Sequence, residues 1–193
     1  MVKKLAIYDF DGTLSQSPEL ESGKAEWSEK KGMEYPHKGW WGRPESLDTE
    51  VFDIQMFDTT ESLIRKDIED PNTYVIILTS RIEKLRPQLE NILSMHGINV
   101  DRIDMKKQEI SKGDKVLGYI REFPDLTRID VYDDNYEREI TSFKSIRNQV
   151  PNHIKFNIFH ADNGRFTLVE NGYNIQNIVH EEIEKFISKN KYL

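Results

Sequence analysis

The run Tyr74-Val75-Ile76-Ile77-Leu78 is apolar or β-branched at every position and breaks off into Thr79-Ser80-Arg81. A strand with apolar side chains on both faces has to be covered on both, as a central strand of a parallel sheet is. The chain around it repeats that pattern. Lys4 to Asp9 is a short apolar run ending in Asp-Phe-Asp-Gly-Thr, a buried strand that enters a glycine-containing loop. After Leu78, Pro87 suits a first helical turn, Leu89, Ile92 and Leu93 have helical spacing, and Gly97 closes the helix. Val100 to Met105 reads as a short strand, with Val116, Leu117 and Ile120 marking the helix behind it. Ile129-Asp130-Val131-Tyr132 is a further strand, stopped by Asp133-Asp134 and followed by a helix marked by Ile140, Phe143 and Ile146. Ile154 to His160 is a last parallel strand, Asn163-Gly164 a hairpin signal, Phe166 to Val169 a short apolar run, and Gln176 to Ser188 a terminal helix. Strands alternating with helices predict an α/β fold, a parallel sheet flanked by helices.

At 193 residues the chain has the length of one domain, spanning 1–193, with room for a small insertion. The insertion is expected over 15–58, where no strand-helix rhythm is visible and Pro18, Gly23, Gly32, Pro36, Gly39, Gly42 and Pro44 punctuate the chain. So long an irregular passage inside a domain is usually a functional cap or flap. Hydrophobic residues make up 37% and charged residues 32%, enough for a packed core beneath a heavily charged surface. The formal charge of −7 argues against a broad basic surface that holds duplex nucleic acid, and leaves a local basic patch open. With no cysteine there is neither a disulfide nor a thiolate metal site. The first apolar stretch is stopped by Asp9, too soon for a signal peptide, and no segment approaches the roughly 18 apolar residues of a membrane helix. The expectation is a cytoplasmic protein with no membrane partner.

In an open parallel sheet, ligands bind beyond the carboxyl ends of the strands, near the point where strand order reverses. Three strands here end in functional groups: Asp9 and Asp11, Thr79, and Asp133 and Asp134. If those strands are neighbours, four carboxylates and one hydroxyl converge on a single crevice. Carboxylates so grouped repel one another, and a hard divalent cation with oxygen ligands relieves the repulsion. Mg2+ suits the set, because it accepts one or two carboxylates together with waters and phosphate oxygens. A carboxylate beside such a cation can attack phosphorus and divide a slow hydrolysis into two easier steps. Plainer readings exist for each piece. Asp-x-Asp-Gly-Thr alone fits a surface turn or a fragment of a calcium loop, and Thr79 fits a helix cap. The apolar strand before the first motif and the matching Asp-Asp strand end favour the catalytic reading. Asp130 reads as a strand position facing a partner or solvent, and His160-Ala161-Asp162 as a strand end.

Asp9-Phe10-Asp11-Gly12-Thr13-Leu14, Thr79 after an apolar strand, a lysine before the fourth strand, and Asp133-Asp134 after it resemble the four motifs of the haloacid dehalogenase-like (HAD) superfamily, over roughly residues 4–146. Within it, Gly39-Trp40-Trp41 with Pro44 and Leu47, followed by Leu78-Thr79-Ser80-Arg81, looks like the HAD domain of Swiss Army Knife RNA repair-like proteins. The resemblance implies a Rossmann-like core with the cap inserted after the first strand. It makes Asp9 the nucleophile and a Mg2+ ligand, with the backbone carbonyl of Asp11 as another ligand. The Asp11 side chain becomes the general acid and then the general base. Thr79 holds a phosphate oxygen, amides of the Gly12 loop form an oxyanion cradle, and Thr13 and Ser80 join them in binding substrate. Asp133 completes the metal shell, with Asp134 as an alternate or second-shell ligand. For the lysine that balances Asp9 and phosphate, Lys115 at the start of a helix is chosen, with Lys106, Lys107 and Lys112 as alternatives; a solvated helix lysine is the plainer reading. Arg81 stands where the resemblance has an arginine facing the phosphate pocket, and a surface salt bridge fits it equally. Trp40 and Trp41 are candidates for stacking on a nucleobase, while burial as the core of the insertion is the favoured reading.

The implied reaction is Mg2+-dependent hydrolysis of a phosphate monoester through an aspartyl-phosphate intermediate. Asp11 matters to that choice, since dehalogenases of the superfamily have no acid at its position and the transporting ATPases carry threonine. The implied partner is a phosphorylated substrate. The RNA-repair resemblance suggests a nucleotide or nucleic-acid end, with Lys106, Lys107, Lys112, Arg43 and Arg81 as local positive charge, and small phosphorylated metabolites stay open. A catalytically inactive HAD fold serving as a binding or regulatory module is the alternative of another class. A kinase-like phosphotransferase lacks a Gly-x-x-x-x-Gly-Lys loop to hold a nucleotide. The sequence carries no signature of oligomeric state.

Overall fold

A computed structural model describes residues 1–107 and 109–170, so the helix expected over 176–188 lies outside the described residues. Among these described residues six strands form one sheet: β1 (Lys4–Tyr8), β2 (Thr73–Ile82), β3 (Arg102–Lys106), β4 (Arg128–Asp133), β5 (Lys155–Asp162) and β6 (Arg165–Glu170). Their order is β3-β2-β1-β4-β5-β6, parallel throughout except for β6, which returns antiparallel to β5 after the Asn163-Gly164 turn. The chain places β2 and β3 on one side of β1 and then β4 and β5 on the other. The reversal puts the carboxyl ends of β1, β2 and β4 beside the switch point where such folds take ligands.

Among the described residues the α-helices that accompany the sheet are α1 (Leu20–Lys31), α2 (Asp58–Glu69), α3 (Arg86–Met95), α4 (Lys112–Glu122) and α5 (Thr141–Ser145). The period-two alternation of β1 sends its side chains into two cores. Leu5 and Ile7 join Ile76, Leu78, Ile129 and Val131 beneath Val116 and Tyr119 of α4 and Phe143 of α5. Ala6 and Tyr8 join Val75 and Ile77 beneath Ile64 of α2 and Leu89 and Ile92 of α3. Burial on both faces explains why these runs are apolar at consecutive positions. Tyr8, Tyr132 and Phe159 stack across β1, β4 and β5 with ring centroids 4.6 and 4.7 Å apart. At the amino end of the sheet Lys4 Nζ lies 2.7 Å from Asp67 and 3.2 Å from Asp130, and Tyr8 donates to Asp67 at 2.6 Å. Asn157 donates to Asp130 at 2.6 Å. Asp130 is therefore a fully buried carboxylate facing partners, as a buried charge must.

The segment between β1 and α2 departs from the sequence reading, which found no helix in it. Helix α1 buries only Gly23 and Trp27, one turn apart, so it has no apolar stripe to betray it. The passage is packed against the sheet. Trp27, Tyr35, Trp40 and Phe52 meet edge-on with centroids 5.4 to 5.9 Å apart, and Trp27, Trp40 and Phe52 share one core with Tyr8 and Ile64. Trp40 is 2% exposed and its Nε1 donates to the Pro18 carbonyl at 2.8 Å. Gly23 is required where it stands, because a Cβ there would run into the Trp40 ring. Trp40, a candidate for stacking on a substrate, is thus a core residue with almost no exposed surface, whereas Trp41 is 39% exposed. Trp40→Ala is expected to cost about 3–5 kcal/mol in urea unfolding, and Trp41→Ala less than about 0.5 kcal/mol; equal costs would contradict this packing.

Candidate active site

Asp9 continues β1, its N–H donating to the Tyr132 carbonyl of β4 at 2.9 Å. The chain then folds back, with the N–H groups of Leu14 and Ser15 both returning to the Phe10 carbonyl at 3.0 and 2.8 Å. Gly12 sits in this loop at φ +71°, where a Cβ would lie 2.5 Å from Asp134 Oδ2. Only glycine lets the first loop come that close to the end of β4. On β2 the register against β3 shifts between Leu78 and Ile82, and Thr79, Ser80 and Arg81, which lie within that irregular stretch, all line the same crevice. The result is a crevice of about 780 Å3 whose lining includes Asp9, Asp11, Thr79, Lys112 and Asp134.

Its floor is a charge cluster. Asp9, Asp133 and Asp134 each offer a carboxylate oxygen within 4.8 Å of the other two. Lys112 is buried between two of them, its Nζ 2.8 Å from Asp9 and 2.7 Å from Asp133. Burial pushes the Asp9 carboxyl up to about 7, reinforced by Asp133 and Asp11 and opposed by Lys112. Burial, with Asp9 beside it, raises Asp134 to about 6, and Asp133 is raised by burial as well. Burial alone would depress the Lys112 ammonium, yet the Asp9 and Asp133 carboxylates hold it above the ordinary lysine value. One cation among three carboxylates leaves surplus negative charge, and the oxygen donor set fits a hard divalent cation such as Mg2+.

No protein-family profile matches the sequence, and no curated protein does. Solved structures match in fold. A chain of the Pnkp1/Rnl/Hen1 complex aligns over 83% of this chain at TM-score 0.51 and 15% identity, and this chain spans 46% of its length. The HAD domain of effector protein Lem4 from Legionella pneumophila aligns at TM-score 0.51 and 12% identity, covering 93% of each chain. A HAD-superfamily hydrolase from Ehrlichia chaffeensis aligns at TM-score 0.51 and 13% identity, over 95% of this chain and 99% of its own. The fold is HAD-like.

On this HAD-like core the structure redistributes several candidate residues. Lys115 lines the crevice but pairs elsewhere than with Asp9: its Nζ lies 2.7 Å from Asp104 and 3.1 Å from the Met105 carbonyl, at the β3 edge. Lys112 takes the expected place. The reason is where α4 begins. Ser111 caps the helix, its Oγ accepting from the Asp114 N–H at 3.0 Å, so Lys112 is the first helical residue and faces the strand ends. Lys115, three residues on, is turned toward β3. Ser111 and Asp114 form a capping pair legible in the sequence, and that signal locates Lys112. Lys106 pairs with Glu109 at 2.9 Å and Lys107 with Glu83 at 3.8 Å.

Thr13 is fully buried, outside the crevice lining, and its carbonyl accepts from Thr60 of α2 at 2.8 Å. The Gly12 N–H is used inside the loop, donating to the Ser15 carbonyl at 3.0 Å, so what Gly12 itself contributes is the close approach to Asp134. Thr79 Oγ1 accepts from the Arg81 N–H at 3.1 Å, which leaves its own proton to donate. Ser80 faces the crevice and accepts from Arg138 at 3.0 Å. Arg81 is neither a surface residue nor a free guanidinium. It is 3% exposed and forks onto Asp11, Nε to Oδ2 and Nη2 to Oδ1, both at 2.8 Å. Its Nη1 donates to the Trp41 carbonyl at 2.9 Å and to Ser46 Oγ. His160 of β5, read from sequence as a strand end, also braces the site, its Nε2 2.9 Å from the Asp134 carbonyl.

Lys112→Met is expected to lower the stability of metal-free protein by about 3–5 kcal/mol in chemical denaturation, because it strands two buried carboxylates; Lys115→Met costs less, and the reverse order would contradict the assignment. The raised Asp9 and Asp134 carboxyls retain protons in the fold at pH values where the unfolded chain, with carboxyls near 3.8, has released them. Stability of chelator-treated protein is therefore expected to fall as pH rises from about 4 to about 7. Thermal melts across that range test this, with Asp9→Asn flattening the slope.

Proposed function

We propose that this chain is a phosphohydrolase that uses Mg2+ and cleaves a phosphate monoester through an aspartyl-phosphate on Asp9. The observation that carries the reading is Asp9 itself, buried at a strand end, paired with Lys112, clustered with Asp133 and Asp134, and followed two residues on by a clamped second acid. The hydrolase folds it matches support the same reading at the level of the fold. A bound Mg2+ would be held by Asp9, Asp133, Asp134 and the Asp11 carbonyl, and would draw charge from the phosphate oxygens.

An Asp9 oxygen attacks phosphorus as the bond to the leaving oxygen breaks, and Asp11 in its protonated form gives that oxygen a proton, leaving the carboxylate that the Arg81 fork holds. Asp11 then takes a proton from water, whose oxygen attacks phosphorus and releases Asp9. The Arg81 fork fixes Asp11 beside Asp9, and the carboxylate keeps 21% exposure toward the crevice. Thr79 donates its free proton to a phosphate oxygen, and Lys112 balances the charge of Asp9 and phosphate. Residues 15–58 act as the cap over this site and supply Trp41 and Ser46 to the Arg81 clamp. The proposed chemistry admits nucleotides, phosphorylated nucleic-acid ends and small phosphorylated metabolites as substrates, and the exposed Trp41 on the crevice wall favours one that carries a ring.

Phosphate release from a mixed panel of monoesters with Mg2+ tests this. Asp9→Asn is expected to abolish release, Asp11→Asn to slow it about 10²–10⁴-fold, and chelation to stop it. Release undiminished in Asp9→Asn would overturn the assignment.

A further inference from the structure

Trp27, Trp40 and Phe52 of the segment between β1 and α2 are buried, whereas Trp41 stands exposed on the crevice wall. Its backbone is fixed by the hydrogen bond from Arg81, and the Arg81 guanidinium lies over its ring, 5.0 Å from a ring centroid. The indole is thus held at a set place relative to Asp11, and a rigid ring exposed in a crevice is suited to stacking. A second exposed apolar side chain, Ile110, lines the same crevice from the loop that leads into α4.

The charges of the walls narrow the ligand further. Among the described residues, each lysine and arginine lining the crevice already pairs with a carboxylate: Lys112 with Asp9 and Asp133, Arg81 with Asp11, Lys115 with Asp104, Lys106 with Glu109 and Arg138 with Glu139. A strand of nucleic acid is held by a groove of surplus cations that tracks its phosphates. At one end the crevice presents Asp9 and Asp134, and elsewhere on its wall it presents Trp41 and Ile110, apolar surface suited to an uncharged flat group.

Resting on the phosphohydrolase reading, we infer that the substrate is a small phosphate monoester whose leaving group carries a planar aromatic ring stacked on Trp41, with no further phosphate. Nucleoside monophosphates and aryl phosphates share that chemistry. Equilibrium binding to Asp9→Asn protein with Mg2+ tests it without turnover, using adenosine 5′-monophosphate, O-phosphotyrosine, ribose 5-phosphate and a 5′-phosphorylated oligonucleotide. At least one ring-bearing monoester is expected to bind about tenfold tighter than ribose 5-phosphate, and which one identifies the source. Trp41→Ala in that background brings the ratio to within about twofold, Trp41→Phe preserves it, and the oligonucleotide binds no tighter than the mononucleotide. Equal binding of ring and sugar, a preference that survives Trp41→Ala, a tighter oligonucleotide, or no binding at millimolar ligand overturns the inference. Phosphate release from ribose 5-phosphate by Asp9-intact protein reads the hydrolase chemistry separately, so either idea can fail alone.

Discussion

The ammonium of Lys112, buried between Asp9 and Asp133, is the interaction on which the rest of the site depends. Three carboxylates at adjoining strand ends repel one another, and in a partly dry crevice that repulsion is felt strongly. Lysine suits the position because it is a compact point charge that reaches two partners at once. Much of the surrounding fold sets up this contact. The sheet order brings β1 against β4, the Ser111 cap starts α4 where its first residue meets the strand ends, and Gly12 lets the loop after β1 close against Asp134.

A second ion pair works differently. Arg81 grips both oxygens of Asp11 with a planar fork, a geometry lysine cannot reproduce. The same guanidinium is anchored by the Trp41 carbonyl and Ser46, so the segment after β1 is tied to the carboxylate proposed as acid and base. The aromatic packing of Trp27, Tyr35, Trp40 and Phe52 holds that segment on the sheet. Under the proposed chemistry, cap and acid are therefore one mechanical unit, and the exposed Trp41 ring beside them is placed where a leaving group would lie.

The sequence made the strands legible because burial on both faces leaves a strong mark, as Tyr74 to Leu78 shows, and the strand ends at Asp9 and Asp133 could be read directly, whereas β2 runs past Thr79 to Ile82. What escaped depended on side-chain direction or tertiary packing. Lys112 and Lys115 differ by three residues on one helix, and only the cap at Ser111 decides which faces the site. Helix α1 carries two buried positions, too few for a periodic signal. Thr13 sits inside the motif yet turns into the core, and Arg81 looked like a phosphate or surface residue because its partner, Asp11, lies 70 residues away. The extension of β2 past Leu78 runs through a shift of register against β3 that local propensity does not announce.

The most direct measurement is acid-quench trapping of the protein during turnover of a radiolabelled phosphate monoester with Mg2+, followed by peptide mapping. The proposed chemistry predicts transient label on the peptide that contains Asp9, absent in Asp9→Asn. Phosphate released while Asp9 stays unlabelled throughout, or label on another residue, would contradict it.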